Sequence, residues 1–567
     1  MTSARVLEER ADAPVPAPRP DTIPDAMARA AAGAAGLTFT DSKLRTRHYS
    51  YRELVRSGRT VAAALAARGI IRGDVVCFLA QTEPGLVTSL LGVWELGVVP
   101  NLLPFPRKLG EAGYLEEVAR RLRISAAKAI IVSDDVAPLL QDLALPVPVL
   151  RFQELTAHEE VRSIPAVSGE DIALLQFTSG TTALARAVPV THRQLLHNTT
   201  SVAGVLTPQP GDVLVSWLPL YHDMGIISLV GTIAEGKSVV IMSPDEFLRR
   251  PGAWLEALHA FRGTATIAPN FAYGLAARDL ARRKPDGLDL SRVRCAMNGA
   301  EPIDLETLDA FAAAAAPYGF RRDAICPMYG QAEATLAVTV TSPFEPLRDI
   351  WVARASLEPG GRPEVVAAGS PNSRRLAACG RPITDTEVTV VGAGGTSLPP
   401  GSVGQIAVRG PGVMSGYWFE PDADGDKLVG DGWLLSGDLG FEWQDQWFIC
   451  GRIKDMMIVG GRNFYPEDYE SIADHVPGVR FGHTAAFYLP EVERMVLVAE
   501  LRAPVDRAGA IAGDVLEAVR AKLNHAPHRV VLVAPRALPR TSSGKRQRQL
   551  CKYLYLDGRL PVLGEAG

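Results

Sequence analysis

Cysteine is scarce: Cys77, Cys295, Cys326, Cys379, Cys450 and Cys551 are spread over 567 residues with no Cys-x-x-Cys pair among them. That spacing excludes a disulfide-stapled scaffold and a cysteine-based zinc site, and reads as reduced, mostly buried thiols. Charge of one sign is missing too, since 59 Lys and Arg face 63 Asp and Glu for a formal net charge of -4. A nucleic-acid footprint and a strongly basic membrane surface are thereby excluded. The longest apolar run, Leu86 to Val99, is interrupted by Glu95 and falls short of a bilayer core of roughly 30 Å, so it is expected as a buried helix and no membrane span is expected. Residues 1–24 are rich in Ala, Pro, Arg and Asp without the apolar core of a signal peptide, and are expected as a flexible arm on a cytoplasmic protein.

What is present is apolar substance, 47% of the chain, in a length that calls for two or more domains. Val- and Ile-rich runs recur at Val75 to Leu79, Ala129 to Val132, Val213 to Ser216, Ser238 to Met242, Thr264 to Ala268 and Val293 to Met297. Stretches with helical spacing lie between them, such as Ser50 to Arg68, which opens with Ser50 and Glu53 in capping-box register. This alternation predicts an α/β fold with largely parallel sheets. From about Glu387 short strands divided by Gly and Pro turns predict a β subdomain, and the block after Lys454 is long enough for a separate α/β domain. The expected division is 25–453 and 454–567.

The most informative segment is Leu175-Gln-Phe-Thr-Ser-Gly-Thr-Thr-Ala-Leu-Ala-Arg-Ala-Val188, an apolar strand entering a hydroxyl-rich turn whose N–H groups and hydroxyls suit phosphate oxygens. Alone it is ordinary turn chemistry. Further segments follow in order: Ser216-Trp-Leu-Pro-Leu-Tyr-His-Asp-Met-Gly225, Pro269-Asn-Phe-Ala-Tyr273, Asn298-Gly-Ala-Glu-Pro302, Tyr329-Gly-Gln-Ala-Glu-Ala-Thr335, Ser436-Gly-Asp438, Gly451-Arg-Ile-Lys-Asp455, Gly460-Gly-Arg-Asn463 and Thr541-Ser-Ser-Gly-Lys545. Each reads as a loop at a strand end, where α/β enzymes place ligands.

Together these motifs resemble those of the adenylate-forming superfamily of acyl-CoA synthetases, nonribosomal peptide adenylation domains and luciferases, over about residues 45 to 550. Their detailed form, with a polar insert at about 344–378 carrying Arg354-Ala-Ser-Leu357 and Gly369-Ser-Pro-Asn372, resembles the fatty acyl-AMP ligases. The resemblance implies a large N-terminal domain of two α/β lobes plus a barrel-like β subdomain, and a small mobile α/β C-terminal domain. It implies ATP-dependent activation of a carboxylic, fatty acid to an acyl-AMP, with Mg²⁺, and transfer of the acyl group to the phosphopantetheine thiol of an acyl carrier protein. The insert would restrain the C-terminal domain and disfavour coenzyme A.

Residue roles come from the same resemblance. Thr178, Ser179, Gly180, Thr181 and Thr182 would hold phosphates, with Glu333 and Thr181 as metal ligands. Asn298, Gly299, Ala300, Tyr329 and Gly330 would line the adenine, and Asp438 and Arg452 the ribose. Lys545 would stabilise charge between carboxylate and α-phosphate, His222 would gate the path to the thiol, and Lys454 would be the hinge. Trp217, Asp223, Met224, Ile226, Asn270, Phe271, Tyr273 and Met297 would line the acyl pocket. Without the family, Asp438 reads as a turn residue, Tyr329 as a core aromatic and Lys545 as an exposed tail lysine.

Three decoys drop out: Gly392-Ala-Gly-Gly395 is a hairpin turn rather than a dinucleotide fingerprint, His525 and His528 have no cysteine partners, and Gly544-Lys545 lacks the upstream glycine of a phosphate loop. One departure is material. The family pattern places Gly, Pro, Lys and Gly where this chain has Ala183, Ala185, Arg186 and Ala187. A methyl at Ala183 is costly if the backbone needs positive φ or a close phosphate, and Arg186 keeps charge without a compact ammonium. Three readings stay open beside the family default: a ligase with a weakened grip on ATP, a homologue confined to acyl transfer or carrier binding, and an acyl-CoA synthetase.

Overall fold

Val75–Leu79 is an unbroken apolar strand with every residue buried, as expected of a strand covered on both faces. In the computed structural model it pairs in parallel with Val99–Leu102 and Ala129–Val132, and the last with Val149–Arg151. The structure describes residues 19–105, 114–140, 145–156, 166–178, 186–420, 427–459, 462–489, 494–540 and 546–567.

A second, nine-stranded sheet carries the site. Its centre is six parallel strands in the order Ile325–Gly330, Cys295–Asn298, Ala265–Ala268, Val213–Ser216, Ser238–Met242 and Gly36–Thr40. The strands beyond these run antiparallel. The predicted Val/Ile runs are therefore strands within a residue or two. Helix Tyr51–Ala66 begins at the Ser50/Glu53 capping box, and Pro84–Glu95 is the buried helix expected for the longest apolar run.

The turn-rich region after Glu387 is a five-stranded antiparallel sheet of Glu387–Val391, Gly404–Arg409, Leu428–Val429, Trp433–Trp443 and Gln446–Arg452. Residues from Met457 onward gather an apolar core of their own around the sheet Val479–Leu489, Arg494–Leu501, Arg529–Val533 and Val562–Ala566.

Two local findings differ from the simplest reading of the sequence. The end of the expected arm is ordered, because Thr22 caps helix Ile23–Ala30 by accepting from the Asp25 N–H, and Ile23, Ala26 and Met27 are buried; residues 1–18 lie outside the described residues. The insert is no plain loop: Asp349–Ala353 pairs with Val365–Val366 on one side and Ser373–Ala377 on the other. From this small sheet two arginines reach helix Pro466–Asp474 of the C-terminal unit. Arg354 Nη1 lies 2.8 Å and Arg374 Nε 3.0 Å from the Asp468 carboxylate, all three largely shielded from water.

Burial pushes the Asp468 carboxyl up, but Arg354 and Arg374 outweigh it and hold it below its ordinary value. The stabilisation is therefore complete above the ordinary carboxylate range and is lost as pH falls through the lowered value. Asp468→Ala leaves two shielded guanidinium groups facing each other, and is expected to cost about 3–5 kcal/mol. Denaturant unfolding of the variant, followed at neutral pH, checks this.

Candidate active site

The carboxyl ends of the parallel strands open toward one edge of the sheet, the place where such folds bind ligands. Val213–Ser216 runs into the turn that carries His222 and Asp223 at the start of helix Asp223–Ala234. Cys295–Asn298 runs into Gly299 and Ala300, and Ile325–Gly330 ends on Tyr329 and Gly330 ahead of the turn Ala332–Ala334 with Glu333. The β subdomain closes over these ends. Between them lies a cavity of about 620 Å³ whose walls include Thr178, Arg186, His222, Asp223, Met224, Gly299, Ala300, Tyr329, Gly330, Glu333, Arg452 and Lys454. Residues from position 178 to 454 thus meet in one space.

Asp438 stands behind this wall with a fixed carboxylate. Its strand partner across the sheet is Arg452, whose Nε is 3.2 Å from Oδ1, while the Tyr329 hydroxyl donates to Oδ2 at 2.9 Å. Ser436 Oγ accepts from the Asp438 N–H. Burial pushes the Asp438 carboxyl above its ordinary value, against the pull of Arg452 and the Tyr329 hydrogen bond. Burial also lowers Lys454, with Arg452 adding to the effect.

Glu333 accepts from the Tyr417 hydroxyl at 3.0 Å, and the Arg186 guanidinium lies over the Tyr417 ring, 5.1 Å from its centre. Arg186 Nε is also 3.5 Å from Glu420. Thr178 and Arg186 are zipped together, Thr178 N–H donating to Arg186 O at 2.7 Å and Arg186 N–H to Thr178 Oγ1 at 3.3 Å. Two non-glycine residues adopt positive φ, Ala300 in the cavity wall at 71° and Thr335, buried two residues after Glu333, at 68°. Such conformations cost energy and gather at functional sites. Thr335 is held there by donating to Gly412 O.

Several residues expected at the site lie elsewhere. Tyr273 is fully buried against Trp254 and Phe311, with its hydroxyl donated to Met297 O. Ile226 is fully buried in the core. Asn270 spends its amide on Pro302 O and Asp304 N–H, capping a neighbouring turn. Asn298 is fully buried, its amide donating to Ala268 O, so it ties strand ends together behind the cavity. Trp217 stacks on Phe247 with ring centres 3.8 Å apart. With Phe271 it lines a small cavity that touches the main one at His222, Asp223, Met224 and Ala300. Met297 faces a second, apolar cavity. Ser179, Gly180, Thr181, Thr182, Ala183, Ala185 and Lys545 lie outside the described residues.

Sequence reasoning missed Tyr417, which no motif contains, and the anchoring around the Lys545 segment. Arg546 pairs with Asp474 at 2.6 Å, and Arg548 with Glu470 at 2.7 Å and with Asp455 of the turn Ile453–Asp455 at 3.0 Å. The basic run Lys545-Arg-Gln-Arg548 was the available signal, since cations shielded from water need partners.

Among the described residues no group of three His, Cys, Asp or Glu is arranged to hold a metal. The profile of the family described as AMP-binding enzyme matches residues 27–418. The chain belongs to that family. The adenylate-forming ligase is 34% identical to a putative acyl-CoA synthetase of Caulobacter vibrioides over 90% of each chain. It is 31% identical to a medium-chain fatty acid–[acyl-carrier-protein] ligase of Moorena producens, again over 90% of each. A solved structure from work on fatty acyl-adenylate ligases of E. coli and L. pneumophila superposes with a TM-score of 0.85 at 30% identity, covering 95% of this chain and 98% of that one. The ligase therefore has the adenylate-forming architecture.

Proposed function

We propose that the ligase joins a fatty acid to AMP from ATP, releasing pyrophosphate, and passes the acyl group to the phosphopantetheine thiol of a carrier protein. The observation that carries this is the Tyr329–Asp438–Arg452 cluster at the wall of the cavity that Glu333 also faces. A carboxylate fixed from two sides is a pre-set acceptor for the two ribose hydroxyls. Tyr329 and the Gly299–Ala300 backbone bracket the adenine, and Thr178 begins the phosphate contacts. Attack of the carboxylate on the α-phosphate crowds anions together, so cations must gather there. Arg186, Arg452 and Lys545 supply them from the chain.

Glu333 offers one carboxylate, which fits Mg²⁺, an ion commonly held by one or two carboxylates with phosphates and water completing its shell. When bound, Mg²⁺ would offset phosphate charge. Glu333 would hold it, with Thr181 beside it, and the Tyr417 hydrogen bond would orient the Glu333 carboxylate. Lys454, on the turn Ile453–Asp455 that follows the last strand of the β subdomain, would be the hinge about which the C-terminal domain rotates between the two half-reactions. His222, shared by the main and the small cavity, would gate the thiol's approach.

The carrier protein as acceptor is supported by the Moorena relative and by the insert's grip on Asp468, which restrains the domain that must turn. Coenzyme A is the competing acceptor. Turnover with phosphopantetheinylated carrier protein is expected to exceed that with coenzyme A by at least about 100-fold in kcat/KM, a difference of roughly 2.7 kcal/mol; equal turnover would place this chain with the acyl-CoA synthetases. The six buried free thiols suit a cytoplasmic setting, and among the described residues no helix is long and apolar enough to cross a membrane.

The substitutions at Ala183, Ala185 and Ala187 favour one other reading, in which ATP activation is lost and only transfer or carrier binding remains. Pyrophosphate exchange with Mg·ATP across a panel of acids separates the two. Exchange with at least one acid supports the ligase; silence with all of them, alongside carrier binding, supports the other.

A further inference from the structure

Helix Asn270–Arg283 carries a glycine, Gly274, in its second turn. Glycine costs a helix stability relative to alanine, so its presence there points to a neighbour that comes too close for a side chain. That neighbour is Phe481 of the C-terminal unit: a Cβ on Gly274 would stand 2.5 Å from Phe481 Cζ and closer still to Cε1. Thr307 of helix Leu305–Ala315 closes the notch, its Cγ2 3.2 Å from the same point. One turn beyond Gly274, the Arg278 guanidinium lies over the Phe481 ring, 4.1 Å from its centre. His475 meets that ring in a T-shaped arrangement with centres 5.7 Å apart.

The strand is bent to present this ring. Pairing of Val479–Leu489 with Arg494–Leu501 shifts register between Val479 and Thr484, and Gly482 takes φ 72°, a conformation that a side chain resists. Phe481 takes no part in the apolar cores of its own unit. The other contacts between the two units here are weaker. Glu306 accepts Lys522 at 2.8 Å and has His475 at 3.8 Å, but Lys522 and Glu306 are 51% and 49% exposed, and ion pairs so exposed contribute little and are screened by salt. Beside them lies a cavity of about 600 Å³ lined by both units and the insert, so the units meet at separate points rather than by continuous packing. Arg540 and Arg546, the described residues on either side of Lys545, line that cavity together with Glu301, which also borders the small cavity beside Ala300.

We propose that Phe481, seated in the Gly274 notch under Arg278, is a latch that holds the C-terminal domain in the adenylating pose. Phe481 and Gly274 are then positioning residues for acyl-AMP formation. Phe481 turns with the C-terminal domain while Gly274 stays with the N-terminal one, so rotation about Lys454 unseats the ring before transfer. Unseating exposes the ring and gives up its cation–π contact, which weights the enzyme toward the first half-reaction. The latch rests on the adenylation reading and adds to it the residues that divide the enzyme between its two poses.

The test uses the full-length ligase and reads the two half-reactions separately: acyl-AMP formation from Mg·ATP and acid, and transfer from preformed acyl-AMP to phosphopantetheinylated carrier protein. Phe481→Ala empties the notch. Gly274→Ala fills it from the other side while improving the helix's own propensity, so the two variants break one contact by opposite changes of volume. Each is expected to lower acyl-AMP formation about tenfold, the shift that loss of one cation–π contact and its ring burial gives a two-state balance. Transfer is expected to hold or rise, a split that general damage to the fold does not produce. Glu306→Gln is expected to change either rate by less than about threefold. Equal loss in both half-reactions, or wild-type adenylation by either variant, would overturn the latch while sparing adenylation. A wild type that forms no acyl-AMP with any acid would overturn both.

Discussion

Replacing Asp438 by Ala is expected to lower ATP-dependent acyl-AMP formation about 100- to 1000-fold, with most of the loss in KM for ATP. Two charge-assisted hydrogen bonds to the ribose hydroxyls, discounted for water that replaces them, amount to about 3–4 kcal/mol, and 1.36 kcal/mol is tenfold. The carboxylate is costly to bury, and burial raises its pKa; a fold with no use for the charge would replace it with a neutral residue. Tyr329→Phe provides the graded comparison. It removes the 2.9 Å hydrogen bond to Asp438 while keeping the ring, so about a tenfold loss is expected from a less well-fixed carboxylate. Measuring KM for ATP at saturating acid for both variants checks the order, with the KM of Asp438→Ala well above that of Tyr329→Phe. An Asp438→Ala enzyme with unchanged KM would remove the ribose assignment.

The second large effect is expected at Arg186. This residue stands where the family's pattern has lysine, and it lines the cavity stacked over Tyr417, whose hydroxyl holds Glu333. The chain Arg186–Tyr417–Glu333 ties the loop's remaining cation to the carboxylate proposed for the metal. Arg186→Ala is expected to cost about 100-fold in pyrophosphate exchange, the scale on which single charge-stabilising donors act. Arg186→Lys restores charge but neither the planar stacking nor the bidentate fork, so it is expected to recover only part of the loss. The measurement is KM for pyrophosphate and for ATP in both variants. If Arg186→Ala behaves as wild type, the loop's charge is idle and the transfer-only reading gains.

The parallel sheets were legible because their strands are short, continuous runs of Val, Ile and Leu, a signature that buried parallel strands cannot avoid. The positions of Gly299 and Ala300 were legible for a related reason, since they directly follow the strand Cys295–Asn298. The companionship of Asp438 and Arg452 was assigned through family motifs, but the geometry that makes it a site is a hairpin register with an irregularity between Leu439 and Gly440, which no local pattern announces. Tyr417 and the Arg354–Asp468–Arg374 clamp join segments far apart in the chain and leave no trace in either segment alone.

The acyl pocket was the least legible part. Ile226 and Tyr273 were grouped with their motif neighbours, yet a helix turns about 100° per residue, so adjacent members of a motif face different ways. Met224 reaches the cavity while Ile226 enters the core.

The most direct measurement of the central claim is acyl-AMP formation from Mg·ATP and a long straight-chain acid, with Lys545→Ala run beside the wild type. The predicted result is an acyl-adenylate from the wild type, and a fall of about 100- to 1000-fold in Lys545→Ala for this half-reaction, with transfer from preformed acyl-AMP retained. No adenylate from the wild type with any acid, or equal adenylation by both proteins, would contradict it.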